Sequence, residues 1–149
     1  MSCRKHVLVV DDDEKVLLVL RHALAKLADT CRITATTKGQ EALDWARANA
    51  VDLLVTDLKM PGMSGVELTQ SLRDMYPSVP VIWVTAYRSS LTDDDAKRLM
   101  VYCLVDKPVR IDELRRIVRD ALHVSQADPC SEPMVRRRFD EESVKEFPR

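Results

Sequence analysis

An α/β fold built on a doubly wound, five-stranded parallel sheet is what this sequence predicts, on three observations. Short apolar runs and helix-periodic segments alternate five times along the chain. The first, third and fourth runs are nearly continuous in Val, Ile and Leu, the pattern of central strands covered on both faces. Parallel strands joined through helices need right-handed crossovers, and a doubly wound sheet is the economical way to supply them.

The first strand is expected over His6–Val10, followed by a helix with its apolar stripe at Val16, Leu20, Leu24 and Leu27. A second strand spans Cys31–Ala35, and Thr37-x-x-Gln40 has the spacing of a capping box that opens the second helix. Val51–Thr56 reads as the third strand. After it Met60-Pro-Gly62-Met-Ser-Gly65 must turn sharply, and Ser64-x-x-Glu67 is a second capping box starting the third helix. Pro80–Val84 is the fourth strand, and the acidic run Asp93-Asp94-Asp95 suits the first turn of a helix, where it complements the dipole. Tyr102–Val105 is the fifth strand, and Ile111, Leu114, Ile117, Val118, Ala121 and Leu122 form the stripe of the fifth helix. After Val124 the pattern lapses into a linker-like stretch with Pro129 and Pro133. The expected organisation is one domain over residues 1–124 and a tail over 125–149, solvated or weakly helical around Val135, Phe139 and Phe147.

Composition narrows the function. With 23 basic against 24 acidic residues there is no broad positive field to hold a nucleic-acid backbone or an anionic membrane. No run approaches the roughly 20 apolar residues of a membrane span, and the N-terminus carries no cleavable signal pattern, so a cytoplasmic location is expected. Cys3, Cys31, Cys103 and Cys130 form no CxxC pair and suggest neither zinc nor redox chemistry.

The chemistry concentrates where strands end. Asp11 and Asp12 follow the first strand, Asp57 ends the third, Thr85 the fourth, and Lys107-Pro108 follow the fifth. In a doubly wound sheet the carboxyl ends of the strands form the ligand site. Carboxylates gathered there repel one another unless a divalent cation joins them, and Mg²⁺ suits one or two carboxylates supplemented by water and a phosphate oxygen. His6, His22 and His123 lie elsewhere in the pattern, so no soft metal is indicated. A metal-neutralised carboxylate, an ammonium and a hydroxyl equip a protein for phosphoryl transfer. In that scheme Asp57 is the nucleophile that forms an acyl phosphate, Lys107 pairs with phosphoryl oxygens, and the Thr85 hydroxyl hydrogen-bonds one of them.

Val-Leu-Val-Val-Asp-Asp-Asp, Val-Thr-Asp57-Leu-Lys-Met-Pro-Gly-Met-Ser-Gly, Val-Thr85-Ala and Asp-Lys107-Pro together resemble the response-regulator receiver family of two-component signalling, the CheY-like superfamily, over residues 5 to 123. The resemblance implies a flavodoxin-like (βα)5 sheet in strand order 2-1-3-4-5, Asp57 as phosphoacceptor, and Mg²⁺ held by Asp12, Asp57 and the Lys59 backbone carbonyl, with Asp11 assisting through water. It implies a histidine kinase or histidine phosphotransfer protein as donor and a downstream protein target reached through the fourth helix, fifth strand and fifth helix. That face is also where a homodimer would form. Lys59 and Tyr87, two residues beyond Asp57 and Thr85, either tune dephosphorylation or are solvent-facing loop side chains.

Several positions depart from the family. Leu104 stands three before the lysine, where an aromatic switch residue is usual, and Tyr102 is expected on the same side of the strand, either as a substitute or as packing. Met100-Val101 replaces the Gly-Ala pair that usually ends the fourth helix, Val109 replaces the Phe that often follows Lys-Pro, and Arg110 stands where a capping Asp or Ser is common. Two other readings are the N-terminal receiver part of a longer transcriptional regulator, and a haloacid-dehalogenase-type phosphatase using Asp11-x-Asp13. The second lacks an acidic pair after the lysine and leaves no room for a cap domain.

Overall fold

The computed structural model describes residues 5–27, 31–86 and 88–127. Strands β1 (Lys5–Val10), β2 (Cys31–Thr36), β3 (Leu53–Asp57), β4 (Val81–Thr85) and β5 (Cys103–Asp106) form one parallel sheet in the order β2-β1-β3-β4-β5. Helices α1 (Glu14–Ala25), α2 (Gly39–Ala48), α3 (Gly65–Met75), α4 (Ser90–Arg98) and α5 (Ile111–Ala127) connect and flank it. The expected class, element order and strand order are all met.

Each face of the sheet carries its own apolar layer. Leu17, Leu20 and Leu24 of α1 and Leu114, Val118 and Ala121 of α5 pack on Val7, Val9, Val55 and Val84. On the other face Ala42, Leu43, Leu68, Leu72 and Ala96 meet Leu8, Leu54, Trp83 and Leu104. Successive residues of β1, β3 and β4 thus face opposite layers, which is why these strands are apolar without alternation. Trp83 is fully buried, and its indole N–H donates to Thr69 Oγ1 (2.9 Å), which donates in turn to the Gly65 carbonyl (2.8 Å). Trp45 is partly buried and meets the His6 ring edge-on, 4.7 Å between centroids. Cys31 and Cys103 are buried, and Cys3 and Cys130 lie outside the described residues.

The two expected capping boxes fare differently. At α3 the Ser64 hydroxyl accepts from Glu67 N–H (3.1 Å) and the Glu67 carboxylate accepts from Ser64 N–H (3.0 Å). At α2 the expectation is corrected: the cap is Lys38, without a side-chain bond, and Thr37 is not part of it. Strand β2 runs one residue further than expected because Thr36 pairs with Val10, and the helix start moves with it. Thr36 Oγ1 then accepts from Lys38 N–H (3.3 Å) and donates to Glu41 (2.6 Å). Helix α5 begins at Ile111, after Arg110, with Asp112 and Glu113 in its first turn, and continues to Ala127, past the expected boundary at 124. The expected tail from 128 onward lies outside the described residues.

Helix α4 closes with the Val101 N–H on the Ala96 carbonyl (2.9 Å) and the Met100 N–H on the Lys97 carbonyl (3.2 Å). This is a Schellman motif, whose left-handed residue is normally glycine. Here it is Met100, at φ 58°, with its side chain exposed. Met100→Gly is expected to stabilise the protein by about 1 kcal/mol, since the Cβ strain disappears and no buried contact is lost. Urea denaturation checks this, and an unchanged or lower midpoint contradicts it.

Candidate functional site

Sheet register assembles the site. Val10 pairs with Thr56, so Asp11 and Asp57 emerge side by side from β1 and β3 at the centre of the sheet. Asp11 is completely buried, and its Oδ1 accepts the Asp13 N–H (2.9 Å). Asp13 caps α1 by accepting from Lys15 N–H (2.9 Å), which directs its carboxylate to the helix start. Asp57 is nearly as buried. Its Oδ1 accepts the Leu58 N–H (2.7 Å), and its backbone carbonyl accepts from Thr56 Oγ1 (2.8 Å).

Lys107 follows the edge strand β5, and its backbone N–H donates to the Thr85 carbonyl (2.9 Å). Its long side chain reaches back across β4, placing Nζ 3.1 Å from Asp11 Oδ2 and 3.3 Å from Asp57 Oδ2. One ammonium therefore serves two carboxylates. Thr85, the last residue of β4, is buried beside it. The Lys107–Pro108 peptide is cis.

Burial raises the Asp11 carboxyl above its ordinary value and the Asp57 charge adds to this, while the Asp13 amide and Lys107 oppose it less effectively. For Lys107 burial pulls the pKa down, but the pairing with Asp11 and Asp57 outweighs it and the net displacement is upward. The folded state therefore takes up a proton at Asp11 more readily than the unfolded chain, and stability falls as pH rises from 3.8 through the raised value. Asp11→Asn keeps an oxygen for the Asp13 N–H and removes that penalty. It is expected to raise the metal-free melting temperature by about 2–4 °C, roughly 1 kcal/mol for a domain of this size, and to flatten the acidic stability profile. Calorimetry between pH 4 and 7 checks it.

Carboxylate oxygens of Asp11, Asp12 and Asp57 all lie within 4.8 Å of one another, Asp12 being exposed at the mouth. Such an all-oxygen set, without His or Cys, fits a hard divalent cation that keeps part of its water shell. Lys59 is exposed at the start of the β3–α3 loop, and Tyr87 lies outside the described residues.

Two glycines shape that loop for different reasons. Gly62 sits at φ 82° with open space around it. Gly65 instead lies against the end of β3: a Cβ there would stand 2.9 Å from Leu58 Cα and collide with the Asp57 carbonyl oxygen.

The shared orientation expected for Leu104 and Tyr102 is corrected. Leu104 packs in the α2–α3–α4 layer, whereas Tyr102 is buried in the α1–α5 layer. Tyr102 precedes β5 in a bend, so the two-residue period does not extend back to it. Its ring therefore packs on the layer opposite to position 104. Sequence reasoning also passed over Arg88, which pairs with Asp93 (3.6 Å) and Asp106 (3.7 Å). No local spacing signals that second contact.

Fold and site define a five-stranded doubly wound α/β protein with a lysine-bridged acidic pocket at the carboxyl ends of its strands. The sequence profile described as "Response regulator receiver domain" matches residues 7–119. The DNA-binding transcriptional regulator NtrC of Escherichia coli K12 is 34% identical over 116 residues, which cover 78% of this chain and 24% of that protein. The response regulator protein PilR of Pseudomonas aeruginosa is 29% identical over 138 residues, covering 93% and 31%. The signal receiver domain of an HD domain-containing protein from Pseudomonas fluorescens Pf-5 superposes with a TM-score of 0.78 at 25% identity, covering 85% of this chain and 100% of that one.

This chain belongs to the response regulator receiver domain family of two-component signalling. It spans between about a quarter and a third of the length of these curated relatives. The phosphatase reading is not retained: the family is a signalling one, and Asp13 is engaged in capping α1. Among the described residues no helix is long and apolar enough to cross a membrane.

Proposed function

We propose that the chain is a phosphorylation-controlled switch that accepts a phosphoryl group on Asp57 from a phosphohistidine of a histidine kinase or phosphotransfer protein. The observation that carries this reading is Lys107 Nζ within 3.3 Å of both Asp11 and Asp57, beside a third carboxylate. That arrangement leaves the pocket net negative, as a site for a divalent cation requires, with one ammonium already placed to meet phosphoryl oxygens.

An Asp57 carboxylate oxygen bonds to phosphorus as the N–P bond of the donor breaks, and the electron pair leaves with the imidazole nitrogen. Lys107 remains paired with Asp11 while its ammonium meets the transferred phosphoryl oxygens, and the Thr85 hydroxyl donates to one of them. Asp12, Asp57 and the Lys59 backbone carbonyl would hold Mg²⁺, with Asp11 acting through water. The cation supplies positive charge against the phosphoryl oxygens when bound. Lys59 and Tyr87, two residues beyond Asp57 and Thr85 in the sequence, are assigned the tuning of phosphate loss. Leu104 occupies the switch position as an aliphatic residue.

Phosphorylation then shifts a two-state equilibrium of the α4–β5–α5 face, which meets a downstream protein or a second copy of the chain. The domain extends through the end of α5 at Ala127. The likeness to NtrC, a DNA-binding transcriptional regulator, favours as a second reading the receiver part of a longer transcriptional regulator. Catalysis beyond accepting and losing the phosphoryl group is not part of this role.

Intact-mass spectrometry with acetyl phosphate and Mg²⁺ tests the assignment. Wild type should gain one phosphoryl mass and Asp57→Asn none; equal gain by the variant sinks it.

A further inference from the structure

Helix α4 is thinly packed. Of Ser90–Arg98 only Ala96 is buried, and Leu91 stands 74% exposed, so little apolar area binds this helix to the sheet. Polar ties hold its two ends instead. At the C-terminal end Arg73 of α3 donates to the carbonyls of Leu99 (2.9 Å) and Met100 (3.2 Å), and also to those of Tyr76 and Val79. The Leu99 and Tyr76 carbonyls are those of the α4 and α3 C-caps, which the helix ends leave without intrahelical partners. At the N-terminal end Arg88, three residues past Thr85, spans Asp93 of α4 (3.6 Å) and Asp106 at the end of β5 (3.7 Å).

The two ties differ in kind. Arg73 grips neutral carbonyls at a site where burial lowers its pKa, and departure of the α4 end would remove two of the four carbonyls that satisfy a desolvated guanidinium. Arg88 makes partly exposed ion pairs, each of modest strength and open to competition by water and salt. Its two acids lie on different elements. A shift of the loop leaving Thr85 toward Asp57 would carry Arg88 away from at least one of them. The aliphatic Leu104, packed against the α4 layer, offers no hydroxyl or ring to hold that loop in its place.

We propose that Arg88 is a positioning residue for Thr85. Its bridge to Asp93 and Asp106 latches the β4–α4 loop and the first turn of α4 in the resting arrangement, Arg73 is the fixed pivot at the other end, and phosphorylation opens the latch. The last clause rests on Asp57 being the phosphoacceptor; the latch itself does not.

Amide hydrogen exchange on the unphosphorylated protein tests it directly. In Arg88→Gln the amides of residues 90–95 should exchange about three- to tenfold faster, the range set by losing two partly exposed ion pairs, while β1 and β3 stay as in wild type. Arg88→Lys, which keeps the charge, should stay near wild type. With acetyl phosphate and Mg²⁺, Arg88→Gln should gain phosphoryl mass faster by a similar factor. Unchanged exchange in α4, equal acceleration throughout the chain, or an unchanged phosphorylation rate each overturns the proposal. The exchange arm needs no phosphodonor, so its failure counts against the latch alone, whereas wild type failing to gain phosphoryl mass counts against the switch reading.

Discussion

Lys107→Met is expected to lower stability by roughly 2 kcal/mol at neutral pH and to abolish phosphoryl acceptance from acetyl phosphate. The methionine matches the length of the lysine stem and leaves the apolar packing in place, so the effect is electrostatic. Without the ammonium, the wholly buried Asp11 and nearly buried Asp57 face each other with no cation. Breaking a sealed ion pair costs about 3–5 kcal/mol; the lower figure reflects a pocket that opens to water at Asp12.

The pH dependence has a definite sign. The Lys107 pKa is raised in the fold, so its contribution is present in full below the ordinary lysine value of 10.5 and is lost only as pH climbs through the raised one. In Lys107→Met the buried Asp11 carboxyl, raised already, loses the ammonium that opposes its protonation, and the stability deficit should shrink as pH falls toward 4. Urea melts of wild type and variant at pH 7.5 and pH 4.5 check this, and a deficit that does not depend on pH contradicts the electrostatic account.

Gly65→Ala should cost about 2–4 kcal/mol and slow phosphorylation more than tenfold, a larger effect than Gly62→Ala at roughly 1 kcal/mol. The added methyl collides with the Asp57 carbonyl oxygen, which also accepts from Thr56 Oγ1, and it stands 2.9 Å from Leu58 Cα. Backbone lies on both sides, so no side-chain rotation relieves the contact. The start of α3 and the end of β3 must separate, breaking the Gly65 N–H bond to the Leu58 carbonyl (2.8 Å) and moving Asp57 relative to Lys107. Gly62 has nothing within 4 Å, and only its left-handed φ resists a side chain. Equal melting temperatures for the two variants would show that close approach is not what position 65 requires.

The element order was legible because burial on both faces writes continuous apolar runs at β1, β3 and β4. The carboxylates and lysine were legible for the same reason, since each follows such a run at the polar rim. The Ser64 capping box was readable because both of its hydrogen bonds close within four residues. Thr37 misled because the start of α2 depends on where β2 stops. That point is fixed by pairing with β1, 26 residues away at Val10 and Thr36.

From the chain alone came the class of fold, the strands that end in chemistry, and the acidic and basic side chains gathered at that rim. Tertiary structure alone decided that one lysine spans Asp11 and Asp57, that Tyr102 and Leu104 occupy opposite layers, and that Arg88 ties α4 to β5. It also decided that Gly65 is required by contact and Gly62 by conformation. The division follows range: periodicity and capping act over a few residues and leave a mark in the sequence, whereas a salt bridge or a backbone contact between distant segments exists only once the sheet register has brought them together.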